Sequence, residues 1–239
     1  MTSPYSSAAP TADGDIAEIS FRDVVKTRRS VRQFLTKTVP HALITAVLED
    51  AQQAPSNCNS QPWQVHILSG AVRDKFSQEC LAAEAEGRPT LDFSFDTADF
   101  SPLMAERAAA QGRAYYEALG VTRDDFDARR TAILRNLALF DAPHVALLFM
   151  PPVGDNVRAA GDIGMYAQTF LLSLVAHGLA GVPQTYLGYF AQVARQVLGL
   201  DDDLKLLFGI SFGYADTGHA AAQYRIAREP ISRSVQFHY

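Results

Sequence analysis

The 239-residue sequence has little cysteine, a single tryptophan and no surplus of positive charge. Its two cysteines, Cys58 and Cys80, make neither a disulfide framework nor a metal-ligand spacing. Both are expected to stay reduced, as suits a cytoplasmic protein. A formal net charge of -5 at pH 7 excludes a general binder of nucleic acid or of a membrane surface, although a local basic patch remains compatible with it. There is no Gly-rich dinucleotide fingerprint, P-loop, paired-histidine zinc motif or nucleophile elbow. The six histidines show no metal spacing, and His144 and His177 adjoin apolar runs, where they read as structural residues. No apolar run is long enough to span a bilayer. The most apolar stretch, residues 165–182, is interrupted by Gln168, Ser173, His177 and Gly178 and reads as a core helix. Residues 1–15, rich in Ser, Ala, Pro and Thr, carry neither a basic nor an apolar region. They are expected to be a disordered tail rather than a signal peptide, with one domain following over residues 16–239.

What is present is an ordinary globular composition, 48% hydrophobic and 20% charged, with helix and strand signals in alternation. Ser20 followed by Asp23 has N-cap character and predicts a helix over residues 21–27. Pro40 opens a second helix, with Leu43, Ile44, Val47, Leu48 and Ala51 at helical spacing; it must end before Pro55. Residues 63–68 read as a strand, and residues 71–85 as a helix. The segment 87–102 mixes Gly, Pro, Asp and Ser with Leu91, Phe93, Phe95 and Phe100, and reads as an excursion tacked down by aromatics. Helices are expected over 103–119 and 123–139, a buried strand over 145–150, and a long helix from Asp155 or Asn156 to His177, stopped by Gly178. A turn or short strand over 181–187, a helix over 190–198 and a buried strand over 204–212 complete the pattern. The alternation Val235, Gln236, Phe237 suggests a further strand with no local partner. These elements predict an α+β fold.

Four places could carry chemistry. Arg28-Arg29-Ser30-Val31-Arg32 puts three guanidiniums and a hydroxyl within five positions, which is what a phosphate dianion requires, or else a solvated basic run. Ala54-Pro55-Ser56-Asn57-Cys58-Asn59-Ser60-Gln61-Pro62-Trp63 sets amides and hydroxyls between two prolines, directly before a strand. Such groups both donate and accept hydrogen bonds, as the polar edge of a flavin would demand, or they form an ordinary loop. Gly181-Val182-Pro183-Gln184-Thr185 follows the long helix, where small residues let backbone amides approach a ligand. Arg225 and Arg228 stand near the C-terminus and are ligands or surface charges.

Taken in order, these motifs resemble the nitroreductase family. Arg28-Arg29-Ser30-Val31-Arg32-Gln33-Phe34 is similar to its N-terminal Arg-Arg-Ser-x-Arg-x-Phe stretch, and Ala54 to Trp63 to its Ala-Pro-Ser-x-x-Asn-x-Gln-Pro-Trp motif. Gly178-Leu179-Ala180-Gly181 before Pro183, Phe208 to Tyr214, and Arg228-Glu229-Pro230 leading into Val235 and Phe237 also fit. The resemblance runs from about Phe21 to Tyr239.

The resemblance implies a nitroreductase-like α/β sandwich, its central sheet mixed or antiparallel and flanked by helices, working as a homodimer with a domain-swapped C-terminal arm and shared active sites. It implies FMN, with Arg28, Arg29, Ser30, Arg32 and Arg228 at its phosphate and ribityl chain. Pro55, Ser56, Asn57 and Asn59 would reach that flavin from the partner subunit. Pro183, Gln184 and Thr185 would lie against the ring system, with a backbone N–H near Thr185 aimed at flavin N5 and Gln61 in support. The family's pattern differs at Asn57, often Ser or Ala, and around Thr185, often acidic or Gly. NADH or NADPH would reduce the flavin, and nitroaromatics, quinones or enones would reoxidise it, in ping-pong order. The chemistry would sit on flavin N5, with no catalytic side chain, no metal, and no nucleic-acid or membrane partner. The excursion 87–102 would shape the substrate mouth. The alternatives are an FMN-dependent oxidase, dehydrogenase or dehalogenase on the same scaffold, or a flavin-binding protein without turnover.

Overall fold

A computed structural model describes residues 19–239; the tail expected over residues 1–15 lies outside them. The chain opens with α1 (Phe21–Thr27), started by the Ser20 hydroxyl, which accepts from the Asp23 amide. Next come α2 (His41–Ala51), β1 (Gln64–Ser69), α3 (Gly70–Ala85), α4 (Pro102–Ala118), α5 (Phe126–Leu134), β2 (His144–Met150), α6 (Val157–Ala176), β3 (Ala180–Gln184), α7 (Ala191–Leu198), β4 (Lys205–Gly213) and the short α8 (Ala220–Gln223).

The four strands form one sheet in the order β1-β2-β4-β3, antiparallel at each pairing. This narrows the mixed-or-antiparallel expectation to antiparallel. β2 lies in the middle and is buried along its whole length. Because successive strand side chains point to opposite faces, Ala146, Leu148 and Met150 join one core with Val47 and Ala51 of α2 and Ile163, Phe170 and Leu174 of α6. Val145, Leu147 and Phe149 join the other, with Phe76 and Cys80 of α3 and Phe190 and Ala194 beside α7. A strand covered on both faces needs a continuous apolar run, which is why β2 shows no polar alternation.

Several boundaries differ from the sequence reading for identifiable reasons. Pro40 is the N-cap of α2 rather than its first residue. α5 begins late because the Asp125 side chain caps it by accepting from the Ala128 amide. It ends early because Leu139, Phe140 and Asp141 all adopt left-handed backbone, with φ of 57°, 53° and 65°. At the head of α6 Asn156 takes φ 67° and its side chain accepts from Val153 N, so the helix amide of Val157 is met by Asp155 instead. The suggested strand at Val235–Phe237 is not paired in this chain. Residues 231–233 form a 3₁₀ turn, and Phe237 beyond it is 67% exposed.

The excursion 87–102 is fastened at its start. Thr90 N donates to Tyr189 O at 2.7 Å. Asp92 pairs with Arg195 of α7 at 2.7 Å, with both side chains under one-tenth exposed. Its carboxylate also accepts from Leu206 N at 2.8 Å. The excursion is thus bolted to the N-terminal end of β4 and to α7.

Candidate functional site

After α1 the chain stops being helical at Arg28 and runs extended along the sheet edge. Ser30 bridges Gly181 of β3, and Phe34 bridges Ala215; Leu35 N donates to Tyr214 O at 2.9 Å. Val31 and Phe34 go into the core. The strand it borders, β3, can pack close on α6 because residue 181 is glycine: a Cβ there would stand 2.8 Å from Leu174 and 2.9 Å from Leu171. With its apolar members buried, the segment leaves Arg28, Arg29, Ser30 and Arg32 half-buried, facing a recess of about 390 Å³.

Across that recess stand Arg225 and Arg228, from the segment after α8. No carboxylate lines it among the described residues. The Arg28 guanidinium is held below its usual pKa by burial and by Arg228; Arg29 is lowered in the same way by burial and by Arg225. Cations gathered without a counter-ion repel one another, and a dianion relieves that repulsion. Arg29 is aimed by its Nε, which donates to Ala222 O at 2.9 Å. Arg32 lies 5.4 Å from the Tyr115 ring centroid and 5.5 Å from that of Tyr224, and donates to the Tyr224 hydroxyl. The Gln111 amide reaches the same hydroxyl at 3.3 Å. Tyr224 and Gln111 belong to no motif, so nothing in the sequence singles them out.

The loop after Pro55 is strained. Cys58, Asn59 and Gln61 take φ of 51°, 55° and 46° without being glycine, a concentration typical of functional loops. Asp162 of α6 holds it: both carboxylate oxygens accept from Asn57 N at 3.1 Å. Gln61 N donates to Ser56 Oγ at 3.0 Å, and Gln61 Nε2 to Asn59 Oδ1 at 3.1 Å, so Gln61 braces the loop from within. Pro55, Ser56 and Asn57 line a separate recess with Val157, Arg158 and Asp162. It shares no lining residue with the basic one. Within one chain the structure therefore unites the arginine segment with Arg228 and leaves the Pro55–Asn59 group apart.

The third place divides. Pro183 and Thr185 are exposed, but Gln184 is 3% exposed. Its amide donates to Asn136 O at 2.8 Å and accepts from Ser211 Oγ at 2.5 Å. Strand alternation turns the Gln184 side chain inward beside Val182, so of the three residues expected against a ring system Gln184 can offer only its backbone. Thr185 starts a 3₁₀ turn, Thr185–Tyr189, that no side chain caps, so its first amides have no acceptor within the turn. That turn packs on β4 because residue 209 is glycine; a Cβ there would meet Leu187 Cδ1 at 2.5 Å.

No cluster of metal-ligating side chains and no helix long and apolar enough to cross a membrane occurs among the described residues.

The Nitroreductase family model matches residues 25–214. The chain is 42% identical over 237 residues to Nitroreductase NfnB of Mycolicibacterium smegmatis, covering 99% of each. It is 33% identical over 222 residues to a 4-nitrobenzoate reductase of Nocardioides sp., covering 91% of this chain and 90% of that one. Its fold superimposes with a TM-score of 0.87 on the crystal structure of the FMN-dependent nitroreductase NfnB from Mycobacterium smegmatis in complex with NADPH, at 42% identity over 91% of this chain and 97% of the other. By the family model and by these full-length likenesses, the chain belongs to the nitroreductase family.

Proposed function

We propose that this protein is an FMN-dependent oxidoreductase that uses NADPH or NADH to reduce nitroaromatic compounds, with quinones and enones as further acceptors. The observation that carries the reading is the basic recess, in which Arg28 faces Arg228 and Arg29 faces Arg225 with no carboxylate among its lining. That donor set fits a phosphate monoester. Arg28, Arg29, Ser30, Arg32 and Arg228 would hold the FMN phosphate and ribityl chain, with Tyr224 and Gln111 fixing the direction of Arg32. Pro183 and Thr185 would border the ring system, Thr185 by its backbone amide, and Gln184 would serve only through its backbone.

The chemistry supplied by bound FMN is transfer of an electron pair, taken as hydride from the nicotinamide and passed to the acceptor. For one round, nitroarene, NADPH and a proton give nitrosoarene, NADP⁺ and water. The chain binds and orients. An amide donor at Thr185 would stabilise charge as it develops, and one seat used in turn by both substrates implies ping-pong order.

We further infer a cytoplasmic homodimer built from one flavin-binding domain over residues 16–239. Two half-sites without a common lining residue, exposed Val157 and Met165 on α6, and exposed Ile231, Val235 and Phe237 on the C-terminal arm support it. In that assembly Pro55, Ser56, Asn57 and Asn59 reach the partner's flavin, and the swapped arm finds its strand partner there.

The test is anaerobic. NADPH should bleach the flavin absorbance of the purified protein, and nitrobenzene should restore it with consumption of the nitro compound. A flavin that both NADPH and NADH leave oxidised would contradict the reading and favour an oxidase.

A further inference from the structure

Beside the proposed flavin seat lies an apolar cavity of about 290 Å³. Its walls come from three places distant in sequence. The excursion contributes Leu91, Phe93 and Phe95; the turn after β3 contributes Thr185 and Tyr189; and Phe208 closes it from β4. Thr185 therefore belongs both to this cavity and to the segment assigned to the flavin ring. A cavity of roughly 150 Å³ suffices for benzene, so this space takes one substituted ring and little more.

The lining contains no charged side chain among the described residues. Of the three acids in the adjoining excursion, Asp96 and Asp99 do not line the cavity, and Asp92 is committed to Arg195 at 2.7 Å and to Leu206 N at 2.8 Å. Arg195 in turn donates to Leu204 O at 3.0 Å. Neither offers its charge to the cavity. The aromatic wall is fixed as well: Tyr189 Oη donates to Phe95 O at 3.0 Å, and the two rings meet edge to face at 6.4 Å.

Resting on the function proposed above, we infer that this cavity seats the ring of the nitro substrate and selects neutral nitroarenes over anionic ones. A neutral ring gains apolar contact there. A ring-bound carboxylate would lose water and meet no cation, which opposes its entry. The related 4-nitrobenzoate reductase is named for an anionic substrate, so the inference separates this chain's specificity from that relative's name.

The experiment compares nitrobenzene with 4-nitrobenzoate on the FMN-loaded protein, by steady-state reduction with NADPH and by calorimetric titration of the oxidised protein. Nitrobenzene should show at least about tenfold higher kcat/KM, carried by KM, and correspondingly tighter binding. Ser94→Arg puts a cation into the lining at an exposed position. It should raise affinity for 4-nitrobenzoate about tenfold or more while nitrobenzene gains nothing comparable. Equal or better use of 4-nitrobenzoate by the wild type overturns the inference, as does a Ser94→Arg protein in which the ratio is unmoved. If neither compound is reduced, the proposed function fails, and the titration still decides the inference: binding of nitrobenzene but not of 4-nitrobenzoate supports it, and the reverse refutes it.

Discussion

Arg28 and Arg228 illustrate a residue pair arranged against the stability of the free protein. Each is a cation near another cation, and Arg28 is half removed from water. Such an arrangement persists when the groups serve a ligand, because a charge-assisted bond to phosphate contributes about 1.5–3 kcal/mol. Arg28→Ala or Arg228→Ala should therefore weaken FMN affinity roughly tenfold to hundredfold. The apoprotein should melt no lower than wild type, since each change removes a repulsion. Fluorescence titration with FMN and thermal melts of the same apoproteins check both halves; unchanged affinity would return these arginines to the surface. Some neighbours were open to sequence reading and others were not. The arginine cluster is local, so its chemistry is visible in five consecutive letters. Tyr224 and Gln111 act on Arg32 from far along the chain, and only the fold brings them near. Asp162 and Gln184 lie between these cases. Asp162 falls at helical spacing with Ala159, Ile163 and Tyr166 and so shares their buried face, while Gln184 alternates inward with Val182. Reading 181–187 as a possible turn hides that second alternation.

At the scale of elements, His144 ties three of them together. Its Nε2 accepts from Val39 N, just before α2, at 3.0 Å, and its Nδ1 meets Ser69 Oγ, at the end of β1, at 2.5 Å. An accepting Nε2 requires the neutral ring. Burial, and then the nearby Arg73, hold its pKa below the ordinary 6.5; burial lowers His66 likewise. The unfolded chain thus binds more protons than the folded one just below that value. The stabilisation is complete above about pH 6.5 and is lost as pH falls towards the folded pKa. Urea midpoints should fall between about pH 7.5 and about pH 5.5, and His144→Asn should flatten that slope to what His66 contributes. A midpoint that rises on acidification would contradict this assignment. Most of the elements themselves were legible. α1, α3, α6 and β2 follow from caps, helical spacing and a continuous apolar run, whereas the C-terminal boundary of α5 precedes left-handed backbone at Leu139–Asp141 that no glycine announces.

For the whole molecule, the single chain leaves two things unfinished. The Pro55–Asn59 loop is held in a strained shape and lines a recess separate from that of the arginines, and the arm after Arg228 runs exposed with Ile231, Val235 and Phe237 uncovered. A second copy would complete both, over an interface expected to bury more than about 2,000 Å². Deleting residues 231–239 should shift the protein from dimer towards monomer in light scattering and lower its FMN affinity in parallel. A truncated protein that remains a tight dimer with full affinity would show that the arm is not part of the assembly.

The central claim is that the basic recess is a flavin phosphate site, and the flavin content of the protein tests it most directly. Purified without denaturant, the protein should be yellow and should release about one FMN per chain on heat denaturation, identified by mass. Stripped of it, the apoprotein should rebind FMN with micromolar or tighter affinity and riboflavin, which lacks the phosphate, at least about tenfold more weakly. A colourless protein that takes up no FMN, or one that binds riboflavin as well as FMN, would contradict the account.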